Sequence, residues 1–301
     1  MPFIWSMNYL VYLVYGGDDY YNEALYSLLS YYKYHEVNEN RIILYTDNSC
    51  FFKKHLPEDV IYVAIYEAKI NEWKGSINFV HRVKVKVLQD AAEKFYGSFL
   101  YLDTDTYFER NVTELFSMIN NGDIVFDRCE GRLIDNPGGI ARKMRKFLKK
   151  ENRFTIASES EPVVIDETFT VWNAGIIGFN SSIAKELLKV EQLVDVLYSK
   201  NQLFIMEQIA FSYFFQKIKD PLPAESYIHH YWYFKEFRKV LKHFFVHHKE
   251  KPFLQLRDEI QKIDPQYLST EKRAYKKMSF WQKQWQRLNN SRKWQTLPYE
   301  L

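Results

Sequence analysis

Two aspartates separated by one residue, Asp103 and Asp105, follow directly after an apolar run at residues 98–102. On an extended backbone, side chains two residues apart point to the same side, so these carboxylates can converge. Hard oxygen ligands of this kind suit Mg²⁺ or Mn²⁺, which keep open positions for substrate phosphates and can assist the departure of a diphosphate. We therefore predict a metal site here. The alternative is a solvated turn, although the repulsion between the two carboxylates would still need a counter-charge.

The pair stands at the end of one of several predicted strands that alternate with predicted helices. The strand-like segments are residues 9–15, 41–45, 60–66, 98–102 and 123–126. Helical spacing occupies residues 22–34 and 81–95. This alternation predicts an α/β fold with a mostly parallel, mixed sheet flanked by helices. Ligands bind beyond the carboxyl ends of such strands, so Asp18, Asp47 and Asp103 are expected along one rim.

The organisation along the chain predicts one main domain and a C-terminal extension. We place the domain at residues 1–250, with a helical insertion or lid at 128–161 and a basic, aromatic, helical extension at 251–301. The formal net charge of +3 is too small to favour nucleic acid as a partner. Cys50 and Cys129 match no zinc or disulfide spacing, which favours a reducing cytoplasm. No uninterrupted apolar run of 18 residues is present, and the N-terminus is interpreted as a strand rather than a signal peptide.

Four short segments, in the same order along the chain, resemble motifs of GT-A fold nucleotide-diphospho-sugar glycosyltransferases. The closest resemblance is to glycosyltransferase family 8, the glycogenin and lipopolysaccharide galactosyltransferase type. It covers roughly residues 9–238 and rests on Asp103-Thr104-Asp105, Asn173-Ala174-Gly175, Glu207-Gln208, and the segment from His229 to Lys235. Two residues depart from the family pattern in the last segment, because Trp232 replaces a glycine and Glu236 replaces a proline.

The resemblance implies a function and a set of site residues. It implies transfer of a sugar from a nucleotide-diphosphate donor, with UDP favoured, to a glycan or lipid-linked glycan acceptor, with Mn²⁺ or Mg²⁺ as cofactor. His229 would be the third metal ligand beside Asp103 and Asp105, with His230 as a competing register. Glu207 and Gln208 would be the catalytic pair, whether the reaction is retaining or inverting. The implied donor contacts are Gly16, Asp18, Arg82, Asp103, Thr104, Asn173, Ala174, Gly175 and Lys235.

Residues 275–294 interleave tryptophans with lysines and arginines. Trp281 and Trp285 are four residues apart and share one helix face, and Trp294 follows. This composition is typical of a helix that lies on an anionic membrane surface, so we expect a cytoplasmic protein that binds peripherally to the inner face of the membrane. The alternative is a helix packed on the main domain with a solvated basic side.

Two other functions remain open from the sequence. A haloacid-dehalogenase-like phosphatase also places two aspartates of this spacing after a buried strand, with a Thr or Val four positions after the first; here Tyr107 stands at that position. A non-enzymatic, membrane-peripheral sugar-binding protein would use the basic aromatic tail and would not need Asp103. A metal-dependent glycosyltransferase remains the main prediction.

Overall fold

A computed structural model describes residues 7–289 of the protein. The strands are β1 (Met7–Val14), β2 (Arg41–Thr46), β3 (Ile61–Ala64), β4 (Gly97–Leu102), β5 (Thr106–Phe108), β6 (Val125–Phe126), β7 (Cys129–Arg132), β8 (Arg153–Phe154), β9 (Val163–Val164), β10 (Thr170–Trp172), β11 (Ile176–Asn180), β12 (Leu222–Pro223) and β13 (Ile228–His230). Among the described residues, these strands form one large sheet and three two-stranded sheets.

The helices connect and cover these strands. They are α1 (Asp18–Tyr31), α2 (Ser49–Lys53), α3 (Glu67–Lys74), α4 (Arg82–Lys94), α5 (Thr113–Asn120), α6 (Gly139–Leu148), α7 (Glu186–Lys200), α8 (Met206–Gln216), α9 (Phe237–His247), α10 (Phe253–Glu259), α11 (Pro265–Leu268), α12 (Thr270–Lys277) and α13 (Phe280–Leu288). Short 3₁₀ helices lie at Ser181–Ile183 and Ile260–Lys262. In the part of the chain that the structure describes, no helix is long and apolar enough to cross a membrane.

The seven-stranded sheet has the order β12-β6-β11-β4-β1-β2-β3. Its strands pair in parallel except for β11, which is antiparallel to both β4 and β6. The predicted α/β fold with a mostly parallel mixed sheet and C-terminal helices is therefore confirmed. Since β1 and β4 are parallel neighbours, the residues that follow them, Tyr15 and Asp103, emerge at the same edge of the sheet.

Both faces of the central strands are buried, which explains why β1 and β4 are apolar along their whole length. On one face, Val11 and Phe99 pack with Val87 of α4. On the other face, Leu10 and Leu100 pack in a separate cluster that includes residues of α1, α5 and α9. The two layers hold β1 and β4 rigidly, so that the edge where Asp103 emerges is anchored from both sides.

The segment predicted as a helical insertion contains one helix, α6, between the short strands β7 and β8. The apolar side of α6 is buried through Ala141, Met144 and Leu148, whereas Lys143 and Lys146 are exposed. The periodicity of this basic stretch therefore places its charges towards solvent and its apolar residues towards the core.

Candidate active site

A cleft of about 910 Å³ opens at the edge of the sheet where β1 and β4 end. Its walls come from residues that are distant in sequence, because β1, β4, α8 and the segment after β13 all contribute. The predicted site residues that line the cleft are Gly16, Asp103, Thr104, Asp105, Asn173, Gly175, Glu207, Gln208 and Lys235. His230 lines it as well. A concave site of this size with converging polar groups is the usual form of a small-molecule site.

Asp105 and His230 meet because β13 pairs with β5, directly after the two aspartates. His230 lies opposite Thr106 in this antiparallel pair, and the Tyr231 amide donates to the Asp105 carbonyl at 2.9 Å. One potential ligand atom each from Asp103, Asp105 and His230 lie within 4.8 Å of one another. Two carboxylates and an imidazole form a donor set that fits a divalent cation.

Asp127 orients the imidazole of His230 from behind. Its Oδ2 lies 2.8 Å from His230 Nδ1, while His230 Nε2 faces Asp105 Oδ1 at 3.3 Å. A carboxylate behind a ligating histidine fixes the ring and its tautomer, and such partners strongly affect metal affinity. Burial opposes the charge on His230, but Asp105 and Asp127 outweigh it and raise the pKa of His230 to about 10. Asp127 belongs to none of the motifs in the sequence, and its signal there is that it directly follows β6.

His229 and His230 differ because neighbouring residues of a strand point to opposite sides. His229 Nε2 lies 3.2 Å from the Tyr233 hydroxyl, and His229 is absent from the cleft lining. Burial and the charge of Arg128 lower the pKa of His229 to about 4. The structure therefore brings His230, the alternative to His229, to the aspartates. The spacing from this histidine to Lys235 is five residues.

Each of the two aspartates is contacted by a lysine. Lys84 comes before the aspartates in the sequence, and Lys235 comes long after them. Lys235 Nζ lies 2.5 Å from Asp105 Oδ2, and its side chain is 51% exposed. Lys84 Nζ lies 3.0 Å from Asp103 Oδ1 and 2.8 Å from the Ala174 carbonyl. Although burial disfavours its charge, Asp103 and Glu207 raise the pKa of Lys84. Lys84 was overlooked, yet its position on the buried side of α4, one turn before Leu88, is a signal in the sequence.

The structure corrects the interpretation of Arg82, which was predicted to contact the diphosphate. Its Nε donates to Asp195 at 2.6 Å, its Nη1 donates to the Trp73 carbonyl at 2.8 Å, and it also pairs with Glu191. Residues two apart on a helix lie about 200° apart around the axis. Arg82 therefore faces α7 when Lys84 faces the cleft.

Two further predicted donor contacts lie outside the cleft lining. Asp18 is exposed at the start of α1, and Ala174 is buried, where its carbonyl accepts from Lys84. Near Gly16 the rim contains Asp47, whose Oδ2 accepts from the Gly16 amide at 3.0 Å. The first strand and the residues after it therefore line the cleft with Leu13, Tyr15 and Gly16 and not with the Asp18 carboxylate.

Glu130 connects the segment of Asn173 with helix α8, which carries Gln208. It accepts from Asn173 Nδ2 at 2.8 Å and from Gln208 Nε2 at 3.0 Å. The neighbouring Glu207 is 5% exposed, and its Oε1 lies 3.6 Å from Lys84 Nζ. Its Oε2 has no hydrogen-bond partner within the described part of the chain. A buried carboxylate oxygen without a partner is rare, and it leaves an acceptor available beside the two aspartates.

Gly175 is required by the position of His230. A Cβ at residue 175 would lie 2.1 Å from His230 Cε1, closer than any real contact. The Gly175 carbonyl also accepts from the Asp103 amide at 2.7 Å. The absence of a side chain at Gly175 therefore allows the close approach of the imidazole ring.

No family model and no curated protein matches this sequence. Among solved structures, the chain is similar to mouse xyloside xylosyltransferase 1 at 12% identity and a TM-score of 0.46, over 72% of this chain and 85% of the other. It is similar to the bifunctional glycosyltransferase WbbM at 13% identity and a TM-score of 0.44, over 74% of this chain and 40% of the other. It is also similar to the galactosyltransferase LgtC in complex with donor and acceptor sugar analogs, at 12% identity and a TM-score of 0.46, over 68% of this chain and 70% of the other.

Gly175→Ala should weaken cation binding because the added methyl group must displace the His230 ring from Asp105. We expect the affinity for Mn²⁺ to fall about ten- to a hundredfold, the range for lost support of a metal ligand. Titration with Mn²⁺ measures this. Gly139→Ala is the matched control, since a Cβ there meets nothing within 4 Å. Equal Mn²⁺ affinity in Gly175→Ala and wild type would contradict the assignment of His230.

Lys84→Gln and Arg82→Gln should separate the roles of these two basic residues of α4. Loss of Lys84 leaves the Asp103 and Glu207 carboxylates uncompensated, so pyrophosphate binding in the presence of Mn²⁺ should weaken about tenfold, roughly 1.4 kcal/mol. Arg82→Gln should lower the melting temperature and leave pyrophosphate binding unchanged. Calorimetric titration and thermal unfolding of both variants test this, and the opposite pattern would restore Arg82 as the diphosphate contact.

Proposed function

We propose that the protein is a metal-dependent glycosyltransferase that moves a sugar from a nucleotide-diphosphate donor to a glycan or lipid-linked glycan acceptor. One observation carries the proposal. Asp103, Asp105 and His230 converge in a cleft at the carboxyl ends of the strands, where two lysines contact the same aspartates. A cation site flanked by basic side chains suits a substrate with a diphosphate. UDP is the favoured nucleotide through the sequence resemblance alone.

Asp103, Asp105 and His230 would hold Mn²⁺ or Mg²⁺. When bound, the ion would neutralise negative charge on the diphosphate leaving group. The chemistry of the ligand atoms supports this assignment, because two of the three ligand side chains are carboxylates with hard oxygens. The third, the imidazole of His230, is held from behind by Asp127. Tyr101 adds a hydrogen bond from its hydroxyl to Asp103 Oδ1 at 3.0 Å, which restricts the orientation of that carboxylate.

The two lysines would act on the departing diphosphate in different ways. Lys235 is half exposed and, among residues 7–289, pairs with Asp105 alone, so its ammonium group can turn towards an incoming phosphate. Lys84 is buried and fixed between Asp103, Glu207 and a backbone carbonyl. Lys84 would therefore set the local potential, and Lys235 would contact the substrate. Positive charge that is already oriented stabilises a leaving anion most effectively.

The other wall of the cleft supplies groups that suit a sugar. Glu130 connects the side-chain amides of Asn173 and Gln208, and Asn173 Oδ1 accepts from the Gly175 amide at 2.9 Å. We propose that these amides and Glu130 bind sugar hydroxyls, and that Gly16 lies at the nucleotide end. Thr104 lies between the two aspartates, and its hydroxyl donates to a buried glutamate, Glu23, at 3.0 Å.

Glu207 is the proposed catalytic carboxylate, with Gln208 beside it. The unpartnered Oε2 of Glu207 can accept a proton from an acceptor hydroxyl in an inverting reaction. In a retaining reaction the same negative charge would stabilise the positive charge that develops at the anomeric carbon. Lys84, 3.6 Å from Oε1, would hold the carboxylate in place in both cases.

Wild-type protein with Mn²⁺ should release nucleotide from at least one member of a panel of UDP-, GDP- and CMP-sugars. Asp103→Asn should reduce the rate at least a hundredfold, as expected when roughly 2.7 kcal/mol of transition-state stabilisation is lost. Asp258→Asn is the control, since Asp258 is an exposed aspartate on α10. If no donor is turned over, or if Asp103→Asn is as active as wild type, the proposal fails. Hydrolysis of an aryl phosphate that Asp103→Asn abolishes would favour a phosphatase instead.

The C-terminal helix α13 supports the further proposal of a peripheral membrane contact. Trp281, Trp285 and Leu288 share one helix face and are 80%, 68% and 81% exposed. Lys283 and Arg287 lie two residues after Trp281 and Trp285, so they project from the opposite, polar side of the helix. Apolar rings and basic groups together favour the interface of an anionic bilayer. Residues 290–294 of the predicted surface, including Trp294, lie outside the described residues.

Trp281→Ser/Trp285→Ser should abolish binding to vesicles that contain phosphatidylserine. Each tryptophan buried at the interface contributes on the order of 2 kcal/mol, so the pair should change the vesicle partition coefficient by at least about a hundredfold. Tyr66→Ser/Tyr96→Ser is the matched control, because these aromatic residues are 70% and 72% exposed on other surfaces. Vesicle sedimentation measures the partition. Equal partition of both double variants would exclude α13 as the membrane contact.

A further inference from the structure

Glu23, on α1, is a fully buried carboxylate whose hydrogen bonds, within the described residues, go to Arg238 and Thr104 and not to the predicted cation ligands or the two lysines, although the charges of Asp105 and Lys235 act on it. Its Oε1 accepts from Arg238 Nε at 2.8 Å, and its Oε2 accepts from Arg238 Nη2 at 3.1 Å. Thr104 Oγ1 donates to the same Oε2 at 3.0 Å. One carboxylate therefore joins α1, the turn between the two aspartates, and α9.

Such an arrangement requires an explanation, because a carboxylate leaves water at a large energetic cost. Charged and hydrogen-bonded partners offset that cost, but an apolar contact of the same shape is often at least as stable. Stability alone therefore does not account for an ion pair inside the layer of α1 and α9. Its position, between the Asp103–Asp105 turn and the segment that carries Lys235, indicates a role in geometry.

The segment that carries His230 and Lys235 is held in two different ways. Strand pairing with β5 ends at His230, and the Tyr231 amide still donates to the Asp105 carbonyl. Lys235 lies beyond this pairing and one turn before Arg238, whose amide donates to the Lys235 carbonyl at 3.2 Å. The position of His230 thus depends on β13, whereas the position of Lys235 depends on the start of α9.

We propose that Glu23 is a positioning residue that fixes the start of α9 through Arg238, and thereby holds Lys235 at the diphosphate end of the cleft. This proposal rests on the proposed function, because it assigns Lys235 to the diphosphate. It predicts a separation of effects. Loss of the pair should weaken binding of a nucleoside diphosphate and leave the site of Asp103, Asp105 and His230 able to bind a cation.

A competing role for Arg238 is direct contact with the phosphates, since it lines the cleft and lies 4.6 Å from the centre of the Tyr20 ring. The two roles make opposite predictions for Glu23. If Arg238 acts by contact, Glu23→Gln frees the guanidinium and preserves or strengthens anion binding. If Arg238 acts by position, Glu23→Gln weakens anion binding as much as Arg238→Gln does.

The first experiment needs no donor, so it tests the positioning even if the proposed function fails. Amide hydrogen exchange would be compared in wild type, Glu23→Gln, Arg238→Gln and the double variant, which leaves no unpaired buried charge. We expect amides of residues 232–238 to exchange at least about tenfold faster in all three variants, while residues 228–231 keep their protection. Unchanged exchange at 232–238, or equal acceleration across the chain, would overturn the proposal.

The second experiment titrates UDP in the presence of saturating Mn²⁺, and Mn²⁺ alone. Each single variant and the double variant should bind UDP about tenfold more weakly, without additivity, while the Mn²⁺ affinity stays within about twofold. Lys189→Gln, which breaks ion pairs with Glu159 and Glu186 away from the cleft lining, is the matched control. Retained UDP affinity in Glu23→Gln overturns the proposal, whereas absence of UDP binding in wild type counts against the proposed function.

Discussion

The mutual repulsion of carboxylates at the end of β4 is the constraint on which the site depends. Asp105 and Asp127 are almost fully buried, and Asp103 lies beside them. Carboxylates this close can remain ionised only if positive groups compensate them. His230 and Lys235 supply that charge to Asp105, and they lower its pKa well below the usual range although burial opposes the charged form. A divalent cation would take over this compensation when it binds, because His230 must release its Nε2 proton to coordinate the cation.

The fold brings these charges together from distant parts of the chain. The parallel strands β1 and β4 end at the same edge of the sheet. The antiparallel pairing of β13 with β5 returns the chain to that edge. Lys84 reaches it from α4 and contacts Asp103. The outer side of the returning segment is held by the C-terminal helices, since Lys272 of α12 pairs with Glu236 at 2.5 Å. The C-terminal region is therefore joined to the site through a direct ion pair.

The sequence predicted the strands of the central sheet well, because an apolar segment that ends at a turn is a local signal. Residues 41–45 and 98–102 correspond to β2 and β4 within a residue or so. The partners of each charge are not a local property, and this is where the predictions failed. One residue of register separates His229 from His230, and only the pairing with β5 decides which imidazole faces the aspartates. The sequence of α4 predicted a basic helix, but it did not show which basic side chain faces the cleft.

The central claim is that Asp103, Asp105 and His230 form one cation site. Pulsed electron paramagnetic resonance of Mn²⁺ bound to the protein tests it most directly, because a coordinated imidazole nitrogen modulates the electron spin echo. We expect a nitrogen modulation in wild type that His230→Gln abolishes and His229→Gln preserves. A nitrogen signal that survives in His230→Gln, or one that disappears in His229→Gln, would exclude His230 as the ligand.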